Sequence, residues 1–328
     1  MLIKRKHWSA SDQQYLLLVL TLTLLYAYLM LRLESSVPAI CTVYIVCIIE
    51  VIISSNVQYN YDVCGRTEYL RWLTDNKTLT NWIGFRLVGG TYAQPHAWPW
   101  TAELLWSFGK HCCGAAIVDI DAVVTAAHCF RYRFLQKSYK VLLGGYQLKK
   151  GEEHEIIGIS THPKFDVTPS ANDIAVVRFK PSIKYDSRKR RICLPKKHVP
   201  INKKCIVTGW GHEKEGGKCS AVLKEIVVPV VSYRICNDPM HYDDLIKEDS
   251  MLCAGYDKGC VDSCQGDSGG PLFCFHNGSW ELHGLVSWGH GCARPKKVGI
   301  YSKVAGFVPW ILKETKRLRL LNDSYSND

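Results

Sequence analysis

The stretch DSCQGDSGGP, residues 262–271, surrounds one serine, Ser268, with glycines and places two aspartates, Asp262 and Asp267, upstream of it. A hydroxyl on a glycine-rich turn is a candidate nucleophile, because glycine permits backbone conformations in which the side chain stands clear of its neighbours. Serine is a weak nucleophile at neutral pH, so this role requires a base elsewhere in the chain. The residues that accompany Ser268 therefore decide what it does.

Two upstream motifs supply a base and an acid. TAAHC (125–129) contains His128, and NDIAVV (172–177) contains Asp173. GDSGG also fits the Gly-x-Ser-x-Gly elbow of α/β-hydrolases, but that fold needs its acid and histidine after the serine, and it alternates strands with helices. The order His128, Asp173, Ser268 argues against that class.

From Leu87 onward most of the chain reads as short strands. Apolar, β-branched runs alternate there with glycine, proline and charged turns, which favours an all-β fold of barrels or sandwiches. The runs that carry this prediction are AAIV (115–118), AVVTAA (122–127), DIAVVRF (173–179) and KEIVVPVV (224–231). The length of the region suits two barrels with a cleft between them.

Only the end of this region reads as a helix. Proline is tolerated in the first turn of a helix, so Pro309 predicts a start there, followed by WILKETKRLRLL (310–321). The apolar positions of the predicted helix are Trp310, Ile311, Leu312 and Leu318.

Composition indicates a globular protein of an oxidising compartment. The chain has 328 residues, of which 47% are hydrophobic and 22% charged, enough for a sizeable core. Its 15 cysteines would be a liability in a reducing cytosol, whereas an oxidising compartment makes them a disulfide framework. The odd number leaves at least one without an intramolecular partner.

The N-terminus supplies a route to that compartment. Residues 1–14 form a basic cytosolic N-terminus, residues 15–53 a hydrophobic signal or anchor region, and residues 54–86 a polar stem and propeptide. The apolar run 15–31 is just long enough to span a bilayer, and the positive charge ahead of it favours a cytosolic N-terminus.

One spanning or cleaved segment is expected. A second span at 37–49 would return the rest of the chain to the cytosol, against the cysteine argument. An anchor would leave the rest on the cell surface as a single-pass membrane protein, whereas cleavage near Val37 and Ala39 would secrete it. Asn76, Asn277 and Asn322 begin glycosylation triplets.

Five further motifs accompany His128, Asp173 and Ser268. In chain order they are LVGG (87–90), WPW (98–100), VTGWG (207–211), MLCAG (251–255) and VSWGHGC (286–292). With them the chain resembles the chymotrypsin/trypsin family of serine proteases from residue 87 to about residue 318. The resemblance implies a protease domain at 87–321, before a polar tail at 322–328, with two six-stranded antiparallel β-barrels, an active site between them and a C-terminal helix.

The resemblance assigns roles in peptide hydrolysis. His128 accepts the proton of Ser268 during attack and returns it to the leaving amine, while Asp173 holds the imidazole tautomer. The backbone N–H groups of Gly266 and Ser268 form the oxyanion hole. Taken alone, His128 would be read as a packed core histidine and Asp173 as a turn residue.

Asp262 occupies the floor of the primary specificity pocket by the same resemblance. A buried carboxylate in an open slot selects a long cationic side chain, which predicts cleavage after Arg or Lys. The alternative interpretation of Asp262 is a solvated charge on a loop. The other substrate-binding residues implied are Ser263, Ser287, Trp288, Gly289 and Gly299, with Tyr301 completing the pocket.

Activation is implied by the family pattern as well. Cleavage after Arg86 would free the amine of Leu87, which departs from the usual isoleucine, and that amine would pair with Asp267. His111 matches a position that can hold this aspartate in the uncut zymogen.

The resemblance pairs ten of the cysteines. The implied disulfides are Cys64–Cys193, Cys113–Cys129, Cys205–Cys274, Cys236–Cys253 and Cys264–Cys292. The remaining ones are Cys41, Cys47, Cys112, Cys219 and Cys260, whose spacing matches no zinc motif, so no metal and no cofactor is expected. A Cys219–Cys260 bridge and two unpaired thiols are both compatible with neighbouring loops.

The net charge of +11 includes a local cluster, SRKRRICLPKK (187–197). It suits an acidic polysaccharide or a membrane surface, with a solvated face as the default interpretation. Nucleic acid is not expected for a secretory enzyme. The expected partners are protein or peptide substrates, an activating protease or a second copy of this chain, protein inhibitors, and the membrane through the N-terminal segment. The alternative from another class is an inactive homologue that binds proteins outside the cell.

Overall fold

Six antiparallel strands form the first barrel. They are β2 (Thr101–Trp106), β3 (Lys110–Asp119), β4 (Ala122–Thr125), β5 (Lys140–Leu143), β6 (Glu152–Thr161) and β7 (Ala175–Lys180). They close in the order β2-β3-β4-β7-β6-β5. Every run of the first barrel that was predicted as a strand overlaps β3, β4 or β7.

A second barrel follows along the chain. Its strands are β8 (Lys204–Gly209), β9 (Lys224–Val231), β10 (Met251–Ala254), β11 (Pro271–His276), β12 (Ser279–Trp288) and β13 (Gly299–Lys303). The sheet order is β9-β10-β13-β12-β11-β8, and pairing of β8 with β9 closes it. A short strand, β1 (Thr91–Tyr92), adds to the outside of β9. The two six-stranded antiparallel barrels are as predicted.

These are the strands of a computed structural model that describes residues 63–68, 90–106, 109–130, 138–168 and 170–324. All of them belong to one unit, residues 60–328. Within these ranges, no helix is long and apolar enough to cross a membrane. The predicted anchor or signal region, Arg86, Leu87, Cys41 and Cys47 lie outside the described residues.

Aromatic side chains from both barrels meet in a shared core. Trp98 lies before β2, and its ring centroid is 4.9 Å from that of Phe273 on β11 and 5.1 Å from that of Trp280 on β12. Trp100 is fully buried beside them, with its centroid 5.3 Å from Phe273. Because the same aromatic rings pack on both barrels, the cleft walls cannot shift without disturbing the core.

Two α-helices are present among the described residues, α1 (Tyr233–Cys236) and α2 (Val304–Ser324). The predicted start of the C-terminal helix is wrong, because α2 begins at Val304 and Pro309 lies inside it. Burial of the first turn explains the difference, since Val304 and Phe307 belong to the hydrophobic core and hold the helix ahead of the proline. Ile311 and Leu318 face the core as expected, whereas Leu312 is exposed.

The basic cluster at 187–197 is only partly a solvated face. Lys189 and Arg190 are buried, at 8% and 1% exposure. Lys189 forms an ion pair with Glu152, and Arg190 donates a 3.2 Å hydrogen bond to the carbonyl of Arg66 in the stem. The central charges of the cluster are therefore used inside the fold, and they are not available to an anionic surface.

Five disulfides are formed, the same five pairs that the resemblance implied. The Cys64–Cys193 bridge fastens residues 63–68 to the domain. Residues 63–68 form a strap on the domain surface. The Gly65 N–H of the strap donates to the carbonyl of Arg191, and the Trp280 N–H donates to the carbonyl of Gly65. A stem segment is thus built into the domain by hydrogen bonds as well as by a covalent bridge.

Candidate active site

His128 and Asp173 are joined by two hydrogen bonds in the first barrel. His128 lies in a 3₁₀ turn, Ala127–Phe130, that follows β4, and Asp173 lies just before β7. The imidazole Nδ1 is 2.7 Å from Oδ2 of Asp173, and the His128 N–H donates to Oδ1 over 2.9 Å. The pairing of β4 with β7 places the end of β4, which leads to His128, beside the start of β7, which follows Asp173.

The Asp173 carboxylate is fully buried, whereas the His128 side chain is 26% exposed. A second-barrel hydroxyl, that of Ser287, donates to Oδ2 of Asp173 over 2.5 Å. The carboxylate thus accepts hydrogen bonds from a backbone N–H, an imidazole and a hydroxyl. Such an acceptor fixes the imidazole with Nδ1 protonated, which leaves Nε2 free to act as a base.

Ser268 lies on the second barrel, in the turn before β11, and its backbone docks on the first barrel. Its carbonyl accepts a 2.8 Å hydrogen bond from the Gly114 N–H on β3. A Cβ at Gly269 would lie 2.0 Å from Oγ1 of Thr125, so only glycine lets the turn approach the strand that leads to His128. Within the described residues the Ser268 hydroxyl makes no hydrogen bond with His128; catalytic hydrogen bonds are often loose until substrate closes the site.

Two unpaired backbone donors flank this serine. In the described part of the chain, the N–H groups of Gly266 and Ser268 donate no hydrogen bond, whereas those of Asp267, Gly269 and Gly270 each donate to a backbone carbonyl. Gly266 has φ +94°, a conformation that L side chains rarely adopt. Two free donors next to a serine hydroxyl are what stabilisation of a tetrahedral oxyanion requires.

A cleft of about 680 Å³ opens beside His128. Phe165 and Val167 form part of one wall, and Ser287 and Trp288 part of the other. Val167 is 61% exposed, which leaves apolar surface open to a ligand. Its size and mixed lining suit an extended peptide segment.

Asp262 lies on a loop of the second barrel beside Gly299. Its Oδ1 accepts a 2.8 Å hydrogen bond from the Ser263 N–H, and its Oδ2 accepts one of 3.3 Å from the Ala293 N–H. Burial raises the pKa of Asp262 to about 7, and these backbone hydrogen bonds oppose the rise. A Cβ at Gly299 would lie 2.7 Å from Oδ1 of Asp262, so the glycine makes room for the carboxylate.

The other predicted pocket residues surround this carboxylate loosely. The nearest neighbour of a Cβ placed on Gly289 would be 3.6 Å away, so this glycine is not required by packing and keeps the slot open. Ser263 and Tyr301 lie beside Asp262. The Cys264–Cys292 disulfide joins the segment that contains Asp262 to the segment whose Ala293 N–H donates to it. Ser287 and Trp288 line the cleft on the His128 side.

Asp267, which precedes the serine, is held by two backbone donors. Its Oδ1 accepts from the Gly211 N–H over 2.7 Å, and its Oδ2 accepts from the Cys264 N–H over 2.9 Å. Burial raises the pKa of Asp267. A Cβ at Gly209 would lie 2.0 Å from Oδ1 of Asp267, which explains the glycines of the VTGWG motif.

A small cavity of about 60 Å³ adjoins this carboxylate and is lined by Gly90, Gly211 and Asp267 among others. Gly90 is the first described residue after the expected cleavage site. His111, expected to contact Asp267 in the uncut protein, instead makes its hydrogen bonds to Glu103 and to the carbonyl of Gly266.

Three cysteines are free within the described ranges: Cys112, Cys219 and Cys260. The hypothesis of a Cys219–Cys260 bridge is therefore wrong. Cys219 forms a β-bridge with His212, whereas the Cys260 N–H donates to the carbonyl of Ala293, so backbone pairing holds the two on different loops. One group in the described residues has metal-ligand spacing, Cys113, His128 and Cys129, but its two sulfurs are bonded to each other and offer no thiolate.

Sequence reasoning could propose the triad, the two donors and the pocket carboxylate, because each lies within a short motif. It missed Glu103, a buried carboxylate beside His111. An acidic residue in the otherwise apolar strand TAELLW (101–106) was the available signal. A comparison with protein-family models agrees with the motifs, since the model described as Trypsin matches residues 87–311.

Proposed function

The chain belongs to the trypsin family of serine proteases, and from that premise we propose that it is a serine endopeptidase, made as a zymogen, that cleaves after Arg or Lys. His128, Asp173 and Ser268 are the proposed triad, with the Gly266 and Ser268 N–H groups as oxyanion hole. The observation that carries this proposal is a partly exposed imidazole that is hydrogen-bonded to a fully buried carboxylate, together with the free N–H groups of Gly266 and Ser268.

The proposed mechanism is acyl transfer in two stages. Nε2 of His128 takes the proton of the Ser268 hydroxyl as its oxygen attacks the scissile carbonyl, and Asp173 stabilises the imidazolium that forms. The free N–H groups of Gly266 and Ser268 bind the resulting oxyanion. Nε2–H then protonates the leaving amine, and a water molecule hydrolyses the acyl-enzyme by the same steps.

The proposed specificity rests on the Asp262 carboxylate. Its oxygens accept hydrogen bonds from two backbone N–H groups but have no cationic partner among the described residues, and burial raises its pKa. A cationic side chain that enters the slot would therefore relieve the cost of the charge. An apolar side chain would leave that charge unpaired. The preference for Arg or Lys follows from this difference.

The proposed activation is cleavage after Arg86. The cavity between Gly90 and Asp267 offers a destination for the Leu87 amine, which would then pair with the Asp267 carboxylate. Leucine has nearly the volume of the usual isoleucine, so insertion is compatible with apolar packing. The Cys64–Cys193 bridge would keep the stem attached after the cut.

The test is covalent labelling with a fluorophosphonate, which reacts only with an activated serine. The chain is cut after Arg86 by an added protease, and the Arg86→Gln protein, treated in the same way, is the uncut control. Labelling of the cut protein, absent from the control and from a cut Ser268→Ala variant, supports the proposal. Failure of the cut, folded protein to react would favour the inactive homologue, and full labelling of the Arg86→Gln protein would exclude the zymogen.

A further inference from the structure

A buried carboxylate lies two hydrogen bonds away from the oxyanion hole. Glu103, on β2, is 2% exposed. Its Oε1 lies 2.9 Å from Nδ1 of His111 on β3, and its Oε2 accepts a 2.8 Å hydrogen bond from the Lys149 N–H. Both oxygens of Glu103 are therefore bound within the protein.

His111 connects this carboxylate to the nucleophile turn. Its second ring nitrogen, Nε2, lies 2.9 Å from the carbonyl oxygen of Gly266. A carboxylate and a carbonyl are both acceptors, so with Glu103 ionised the ring makes both hydrogen bonds only when both nitrogens carry a proton. His111 is then an imidazolium, and Glu103 is its counter-ion, with side-chain exposures of 4% and 3%.

The bond to the Gly266 carbonyl matters because of the conformation of this glycine. Gly266 has φ +94° and no side chain, so few contacts of its own restrain the two peptides that meet at its Cα. One of those peptides carries the N–H of the oxyanion hole and the other carries the carbonyl that His111 binds. Fixing the carbonyl therefore limits the directions in which the N–H can point.

A second carboxylate competes for the same ring. Asp267 is close enough to His111 that the imidazolium opposes the rise that burial causes in the pKa of Asp267. Asp267 gives its own oxygens to the N–H groups of Gly211 and Cys264, whereas Glu103 bonds the ring directly. Without Glu103 the ring would lose its near partner and be drawn towards Asp267, away from Gly266.

We propose that Glu103 and His111 are positioning residues for the oxyanion hole. Glu103 keeps the imidazolium charged and oriented, and the imidazolium holds the Gly266 carbonyl so that the Gly266 N–H faces the cleft. Neither residue touches the reacting atoms. The inference rests on the proposed function, because the oxyanion hole is part of the proposed acyl-transfer site.

Steady-state kinetics with an arginine amide substrate test the pair. Loss of one oxyanion donor typically costs 10²- to 10³-fold in kcat, which sets the upper limit for His111→Ala. We expect His111→Ala to lower kcat by about 10- to 100-fold. Glu103→Ala should lower it by about 10-fold, because the ring, drawn towards Asp267, then holds the Gly266 carbonyl for only part of the time. KM should change less than twofold, because the Asp262 pocket is untouched.

Two inhibitors separate positioning from a general structural defect. A peptidyl argininal forms an adduct with the serine that places an oxyanion in the hole, so its Ki should rise by the same factor as kcat falls. Benzamidine binds only the cationic slot, and its Ki should stay at the wild-type value. Glu153→Ala, which removes a 59% exposed carboxylate of β6, is the control that should change neither Ki.

A double-mutant cycle tests whether the two residues act through one path. The double variant should be no slower than His111→Ala alone, because Glu103 acts only through the ring. Wild-type kcat and argininal Ki in both single variants, or additive losses in the double variant, would overturn the inference while leaving an active protease. A wild-type protein that hydrolyses nothing after the cut would instead overturn the proposed function.

Glu103→Gln serves if the alanine variants do not fold. It keeps the volume of Glu103 and removes the charge, so a folded Glu103→Gln protein should still lose kcat and argininal affinity together. Unchanged kcat in that folded protein would also overturn the role assigned to the charge.

Discussion

Lowering the pH from 8 to 5 should protonate Asp262 and so remove the negative charge from the proposed specificity pocket. Burial raises the pKa of Asp262 to about 7, from an ordinary value of 3.8. Asp262 is thus mostly ionised at pH 8 and about 1% ionised at pH 5, since each pH unit below the pKa changes the ionised fraction about tenfold. A cationic ligand needs the ionised form, so its Kd should rise about 100-fold between pH 8 and pH 5.

Benzamidine binding to the cut protein, measured by titration calorimetry at several pH values, is the assay. Direct binding is preferable to turnover, because His128 must also change protonation state during the reaction. The same titration on Asp262→Asn is the matched control. That variant has an uncharged pocket at every pH, so its benzamidine affinity should be weak and nearly independent of pH.

The sign of the accompanying stability change is opposite to that of most carboxylates. A folded pKa above the unfolded one means that the folded protein binds the proton more tightly than the unfolded chain does. Ionised Asp262 therefore costs stability in full above about pH 7, and the cost declines as the pH falls from 7 towards the ordinary value of 3.8. Benzamidine offsets that cost, and the increase in Tm on adding it should be larger at pH 8 than at pH 5. A benzamidine Kd that is constant from pH 8 to pH 5 would refute the assignment of Asp262 to a cation-binding pocket.

Two further predictions concern the strap and the free thiols. Gly65→Ala should lower the free energy of unfolding by about 2 kcal/mol or more, because its Cβ would lie 2.2 Å from the Trp280 carbonyl oxygen at φ +62°. The control is Gly278→Ala, at φ +84° with nothing within 4 Å of the added Cβ, which should lose only about 1 kcal/mol. Equal losses in urea unfolding would mean that the contact between the strap and Trp280 does not stabilise the protein. Iodoacetamide at pH 8 should alkylate the exposed Cys260 in the native protein well before Cys112, because burial raises the pKa of the Cys112 thiol to about 12. Peptide mapping that finds Cys112 modified as fast as Cys260 would contradict the burial of the Cys112 thiol.

The strands were predictable because burial on one face imposes alternation. KEIVVPVV (224–231) became β9 with the same bounds, and its side chains alternate between buried and half-buried along most of the strand. Candidate site residues were predictable for a different reason, since short motifs around His128, Asp173 and Ser268 record the backbone geometry that each needs. Local sequence was sufficient in both cases.

Features that depend on contacts distant in sequence were not predictable. Arg190 looked solvated among its basic neighbours, but it is buried beneath the stem carbonyl of Arg66. The start of α2 was placed at Pro309 from helix propensity, whereas packing of Val304 and Phe307 set it earlier. Glu103 and His111 lie on neighbouring strands, but the link that makes them relevant runs to Gly266, which is remote in the chain.

Assembly of the candidate site requires both barrels, and the contacts between them explain why. The first barrel supplies His128 and Asp173, and the second supplies the Ser268 turn. Hydroxyls of the second barrel, on Ser287 and Ser302, donate to the side chain and to the backbone carbonyl of Asp173.

First-barrel donors act in the opposite direction. The N–H of Gly114 binds the carbonyl of Ser268, and the His111 ring binds the carbonyl of Gly266. Each barrel therefore orients the candidate catalytic groups carried by the other. A substitution that loosens either barrel should reduce activity before it unfolds the protein, because the geometry of the site depends on the contact between them.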